Sequence, residues 1–165
     1  MTEEAKGWQA GVGLEFDEFY RSAYPRALAV ARRIVGTSLA EDVAIEGVAR
    51  AYAQWKTVAK MEHPQAWVVR VVTNLALDEV RRKRAYLSEI SVRDTSSDFV
   101  IRDRVVEALR SLTKRQQEVV VLRYIVNLPE SDVARILDMT TGTVGTHLHR
   151  AFSHLRTYLT DEESP

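Results

Sequence analysis

Apolar residues recur along this chain at intervals of three and four, which predicts a succession of amphipathic helices. In "LEFDEFYRSAYPRALAVARRIVG" the period runs to Gly36, which ends the helix, and Pro25 is expected to bend it or split it in two. "SLAEDVAIEGVARAYAQW" opens with Ser38 and Glu41, the spacing of a capping box. A loop, "KTVAKMEH", separates Trp55 from Pro64. Pro64 then stands at the first position of a long helix, "HPQAWVVRVVTNLALDEVRRKRA".

Between Leu87 and Ser97 the period lapses into "LSEISVRDTSS", and this polar stretch is the expected domain boundary. Helical spacing resumes in "DFVIRDRVVEALRSL" and in "TKRQQEVVVLRYIVNL", where Thr113 and Gln116 form a second capping box. "PESDVARILDM" follows as a short helix and a brief turn, after which Thr140 caps a longer helix. The fold class read from this pattern is all-α. Two small helical domains, residues 14–86 and 99–160, are joined by a short polar linker, 87–98, and the second contains a helix-turn-helix.

In that last helix Val144, Leu148, Ala151, Phe152 and Leu155 share one face and are expected to pack inward. The opposite face carries Thr143, Thr146, His149, Arg150 and Ser153. Small polar side chains let a helix approach a DNA groove, and arginine can bond guanine or phosphate. An ordinary helical hairpin with a polar outer face accounts for the periodicity equally well. On the helix from Pro64, Val68, Val69, Val72, Leu75 and Ala76 form the apolar face, and Trp67, Arg70, Asn74, Asp78 and Arg81 line the other side. Aromatic, guanidinium and amide groups in one exposed stripe offer stacking, phosphate pairing and base-edge bonding, the chemistry of single-strand recognition. The plainer alternative is a tucked Trp67 and a solvated Asn74. "RRKR", Arg81 to Arg84, also complements the dipole at a helix end.

Composition narrows the classes. Lys and Arg total 23 against 23 Asp and Glu, so any grip on phosphate must come from local clusters, not from net charge. There is no cysteine, which removes disulfides and thiolate metal sites and fits a reducing cytoplasm. No apolar run approaches the roughly 20 residues of a membrane span, and "MTEEAKGWQAG" lacks the character of a signal peptide. His147 and His149 lie two apart on a helix and point to different sides, so they do not share a metal ion. No nucleophile–base pairing, glycine-rich phosphate loop or paired carboxylate motif stands out, so neither an enzyme nor a cofactor is expected.

Taken in order, "FDEFYRSAYPRALAVARRIVG", "AEDVAIEGVARAYAQW", "HPQAWVVRVVTNLALDEVRRKR" and "LTKRQQEVVVLRYIVNLPESDVARILDMTTGTVGTHLHRAFSHLR" resemble the extracytoplasmic-function sigma factors of the bacterial sigma-70 family. The resemblance spans roughly Leu14 to Leu159. It implies an alternative sigma factor whose partners are core RNA polymerase, promoter DNA and an anti-sigma factor, without membrane insertion. The first block would be region two, which binds the β′ clamp helices and recognises and melts the −10 element. The second would be region four, which contacts the β flap and places its recognition helix in the −35 element.

Residue by residue, the resemblance puts Asp42 and Glu46 on the polymerase-binding helix and Asn74 at the position that receives a flipped −10 base. Trp67, Arg70, Asp78 and Arg81 share that stripe, and Lys56, Lys60 and His63 occupy the loop that would hold the base. Thr143, Thr146, His149 and Arg150 would face the −35 element. Ile45 replaces a common glutamine, and Gly47 and Val48 stand where bulkier residues are frequent, which implies a weakened polymerase surface. In the carboxy-terminal half Gly145 and His147 replace basic residues and Asp138 replaces a turn glycine, so the recognition helix is expected to keep its shape with reduced grip. The alternative is a degenerate sigma-like protein that binds polymerase or an anti-sigma factor without initiating transcription.

Overall fold

The computed structural model describes residues 15–89 and 97–161, without the side chains of residues 84, 87–89, 97–103 and 161. Every regular element among them is helical. The first block is α1 (Phe16–Val35), α2 (Thr37–Ala53), the short α3 (Trp55–Val58) and α4 (Pro64–Glu89). The second is α5 (Ser97–Ser111), α6 (Lys114–Val120) running into a π turn (Val121–Ile125), α7 (Glu130–Leu137) and α8 (Thr141–Asp161).

Pro25 does not split α1. It sits exposed within a continuous helix, so the carbonyl it leaves unpaired can turn to water. Nor does Ser38 cap α2. The N-cap is Gly36, whose φ of 78° and ψ of 179° let a single residue turn the chain from α1 into α2. Its N–H still bonds Arg32 O at 3.1 Å, so one glycine closes one helix and opens the next. The loop before Pro64 begins as α3, anchored because Trp55 meets the buried Phe19 at 4.8 Å and Phe16 edge-on at 5.2 Å.

The first core is built from Ala23, Ala27, Val30 and Ala31 of α1, Val43, Ala44, Val48 and Ala51 of α2, and Val68, Val69, Val72 and Ala76 of α4. Most of α2's contribution is alanine, valine or glycine, so the helix axes come close. Gly47 marks the closest approach: a Cβ there would lie 2.3 Å from Val72 Cγ2. Gly47 and Val48 are buried, so neither belongs to a polymerase-facing surface, and their small size serves the packing of α2 on α4.

In the second block the expected cap at Thr113 is present. Gln116 N donates to Thr113 Oγ1 at 3.4 Å and Thr113 N to Gln116 Oε1 at 3.0 Å. Val144, Leu148 and Ala151 of α8 are buried and Leu155 packs against the core. Phe152 departs from expectation. It lies at the border of the apolar arc, remains 40% exposed, and meets Tyr124 edge-on at 5.3 Å instead of entering the core. α7 packs against α4, and buried apolar residues of both blocks belong to one hydrophobic cluster. α4 continues to Glu89 and α5 starts at Ser97, so both helices reach into the stretch read as the polar linker. Residues 90–96 and the amino-terminal "MTEEAKGWQAG" lie outside the described residues.

Replacing Gly47 with alanine should destabilise the first block by about 1–3 kcal/mol, the cost of overpacking. That loss outweighs the roughly 1 kcal/mol that alanine gains over glycine in a helix. Val72→Ala should relieve part of it, so a double-mutant cycle followed by urea denaturation should give a favourable coupling. Additive losses would contradict the close approach.

Candidate polymerase and nucleic-acid interface

α2 divides cleanly. Ala40, Val43, Ala44, Gly47, Val48 and Ala51 are buried, and Glu41, Asp42, Ile45, Glu46, Ala49 and Arg50 are exposed on the other side. Asp42 and Glu46, four apart, rise on the same exposed side, as the sequence predicts. Glu46 accepts a hydrogen bond from Arg50 Nε at 2.8 Å in an ion pair about half exposed at each end (50% and 51%). A pair so open to water holds its geometry weakly and is available to another cation. Ile45 stands between the acids at 54% exposure.

The α4 stripe is less open than its residue types suggest. Asp78 is exposed, whereas Arg70, Asn74 and Arg81 are half-buried and Trp67 packs against the core. The plainer reading of Trp67 therefore holds in part: most of the indole serves packing. Asp78 and Arg81 form an ion pair, as do Glu79 and Arg82, so two arginines of the basic cluster are already engaged within α4. Lys83 is exposed, and the side chain of Arg84 lies outside the described residues. Beside the start of α4, Lys56 and Lys60 are exposed and His63 is half-buried, its Nε2 3.7 Å from Glu62 Oε1. Sequence reasoning missed the buried polar support under this end. Gln65 is fully buried and its Nε2 donates to Ser22 Oγ at 3.2 Å, tying α4 to α1.

The helix-turn-helix is closed by Asp138, the C-cap of α7, at φ 53° and ψ 57°. Met139 N reaches Ala134 O at 2.9 Å and Asp138 N reaches Arg135 O at 3.4 Å, the two bonds of a Schellman turn. Aspartate is among the few non-glycine residues that enter the left-handed region with modest strain, so the turn keeps its shape without glycine. Thr140 Oγ1 then accepts from Thr143 N at 3.1 Å and caps α8.

Thr143, Thr146, His149, Arg150 and Ser153 are all exposed on one side of α8. Two of the hydroxyls are already engaged. Thr146 Oγ1 donates to Gly142 O at 3.0 Å, and the Thr143 and Thr140 hydroxyls lie 2.9 Å apart. Thr146 therefore offers an incoming base a methyl group and an acceptor, not a donor. His149 and Arg150 are the long polar side chains of the face. A Cβ on Gly145 would meet nothing within 4 Å, so glycine answers no steric need there. His147 is half-buried, and no group of histidines and acids among the described residues could hold a metal ion. No described helix is long and apolar enough to cross a membrane.

Comparison with known proteins covers both blocks. The family model "Sigma-70 region 2" matches residues 19–86 and "Sigma-70, region 4" matches residues 102–155. The RNA polymerase sigma-E factor of Streptomyces coelicolor is 31% identical over 153 residues, covering 88% of this chain and 86% of that protein. The ECF RNA polymerase sigma factor SigW of Bacillus subtilis is 28% identical over 165 residues, covering 88% and 84%. Two solved structures share the fold at a TM-score of 0.52. One is the sigma factor RpoE in complex with the anti-sigma factor NepR from Bartonella quintana, at 19% identity, covering 88% of this chain and 96% of that one. The other is CnrH in complex with the cytosolic domain of CnrY, at 24% identity, covering 90% and 89%. The chain belongs to the sigma-70 family, as an alternative sigma factor of its extracytoplasmic-function group.

Proposed function

We propose that the chain directs promoter-specific initiation by dividing the task among three helices. α2 holds core polymerase at the β′ clamp helices through Asp42 and Glu46. α4 and the segment before it read and open the −10 element. In that reading Asn74 receives an extruded base, Arg70, Asp78 and Arg81 line its strand, Trp67 backs the stripe, and Lys56, Lys60 and His63 close around it. Base extrusion costs a few kcal/mol, and stacking with amide hydrogen bonds offsets it. α8 lies in the −35 element through Thr143, Thr146, His149 and Arg150, with the rest of its block against the β flap. The protein performs no catalysis of its own and works in the cytoplasm, beside the polymerase.

One observation carries this reading. In the block matched by region 2, Asp42 and Glu46 are on the exposed side of α2, which supports α2 as the polymerase-binding helix. Among the departures from the family pattern, Gly47 serves packing and Asp138 fits its turn, whereas Ile45 and Gly145, the two that favour a degenerate protein, answer no packing need: Ile45 is exposed and a Cβ on Gly145 would meet nothing within 4 Å. An anti-sigma partner is supported by the fold shared with the sigma factor RpoE, which was solved in complex with the anti-sigma factor NepR.

Asn74→Ala should impair promoter opening more than duplex binding, by about 0.5–1.5 kcal/mol, the net contribution of a hydrogen bond. Permanganate footprinting of the bubble set beside gel shifts on the closed duplex measures the difference. Equal loss in both would assign Asn74 to folding. Trp67→Ala is a poorer probe, because Trp67 also packs against the core.

Gly145→Lys should stabilise α8 by up to about 1 kcal/mol, since glycine is the weaker helix former and the new side chain meets open space. If that lysine reaches a phosphate, binding of the full chain to −35 duplex should strengthen and its salt slope steepen by roughly 0.9. An unchanged slope and affinity would mean that this face does not lie on DNA.

A further inference from the structure

Three of the chain's four histidines, His147, His149 and His154, fall within eight residues of α8, and only His63 stands elsewhere. His149 and His154 are exposed and His147 is half-buried. At about 3.6 residues per turn, His147 and His154 lie to one side of Arg150 and His149 to the other. The histidines thus bracket the arginine proposed to face the −35 element. Between Thr141 and Thr160 the helix holds two arginines, Arg150 and Arg156, and no acid. Its side chains carry a charge of +2 with neutral imidazoles and +5 with all three protonated.

Nothing in the fold engages these imidazoles. His63 stands near Glu62, but no ion pair or side-chain hydrogen bond among the described residues involves a histidine of α8. The helices packed against α8 are α5, α6 and α7. Of their acids, Asp132 of α7 is held by Arg135 at 2.7 Å, and Glu118 of α6 is buried against Arg115 at 2.9 Å. Glu107 of α5, Glu130 of α7 and Asp138 of the turn are exposed, as are the cations Arg104, Arg110 and Lys114. Arg123 lies over the Tyr124 ring, and that ring meets Phe152. The three imidazoles are left to water or to an anion from outside.

A neutral imidazole offers one donor and no charge, whereas an imidazolium offers two donors and a full charge. Histidine is the side chain that makes this change between about pH 5 and 8. We infer that His147, His149 and His154 form an acid-strengthened phosphate clamp around Arg150, so that α8 grips DNA more firmly as pH falls. This rests on the assignment of α8 to DNA and names how that contact is regulated. Phosphate favours the charged imidazole, so binding takes up protons. The added affinity is present at mildly acid pH and is lost as pH rises and the bound imidazoles give up their protons. Arg150 supplies the part of the grip that persists at alkaline pH.

The test is binding of the full-length chain to a mixed-sequence DNA duplex at pH 8 and pH 6, since phosphate contacts carry no sequence information. From the higher pH to the lower, affinity should rise roughly tenfold and the salt slope steepen by roughly 0.9 for each histidine that reaches a phosphate. Calorimetry in two buffers of different ionisation enthalpy should show proton uptake on binding. His147→Gln, His149→Gln and His154→Gln together should abolish both effects, and arginine at the same three positions should give firm binding at either pH. Because His147 is half-buried, His149→Gln with His154→Gln is the second variant; it should remove most of the pH dependence and melt as the parent does. Both glutamine variants melting well below the parent would assign the histidines to the fold and overturn the clamp. A parent with the same affinity at both pH values, or a triple glutamine variant that tightens as the parent does, would also overturn it. Arg150→Ala separates the two assignments. If it weakens binding at both pH values, α8 lies on DNA whatever the histidines do; if it binds as the parent, that assignment falls and the clamp with it.

Discussion

The contact of α2 with α4 at Gly47 and Val72 is the constraint on which the first block depends. With no Cβ at position 47, Val72 fills the space that a side chain would take, and the two helices meet with backbone close to side chain. This approach fixes which arc of α2 is buried, and so which arc carries Asp42, Ile45, Glu46 and Ala49 outward. It also fixes the rotation of α4, whose Val68, Val72 and Ala76 are buried, so that Asn74 and Asp78 fall on another side. The faces proposed for polymerase contact and for base recognition are thus two consequences of one packing contact. A bulky residue at position 47 would disturb both before it touched either partner.

The second block solves a different problem, holding two helices at the angle of a helix-turn-helix without the usual turn glycine. Asp138 supplies the left-handed residue, the Schellman bonds close α7, and Thr140 opens α8. Geometry is therefore set by the backbone bonds of the turn and by the Thr140 cap, not by the side chains of His149, Arg150 and Ser153. Of the five residues named on the exposed face of α8, Thr143, Thr146 and Ser153 are small and Arg150 is the one arginine. The shape of α8 and its electrostatic grip are independent properties here.

Helix existence was legible because apolar spacing survives every local irregularity. Pro64, Thr113 with Gln116, and Thr140 could be read as helix starts because each places a restricted φ or an acceptor where orphan N–H groups lie. The start of α2 was not legible from the same rule. Ser38 and Glu41 have the capping spacing, but the short α1–α2 connection recruits Gly36, whose positive φ no side-chain pattern announces. Gly47 misled for a related reason: a small residue reads as a missing contact until its neighbour, Val72, is known. Trp67 and Phe152 exchanged roles because each lies at the border of its helix's apolar arc, where the adjoining helices decide. The residues proposed to touch DNA and polymerase were found through resemblance; periodicity alone supplied their faces, not their partners.

Initiation by purified core polymerase tests the whole account most directly. The chain and core should be combined on a pool of genomic fragments, and transcript 5′ ends mapped. The account predicts discrete start sites that are absent with core alone, sharing an upstream element near −10 and a weaker one near −35. Stable binding to core without any new start sites would contradict it, and would leave a sigma-like protein that occupies polymerase without opening DNA.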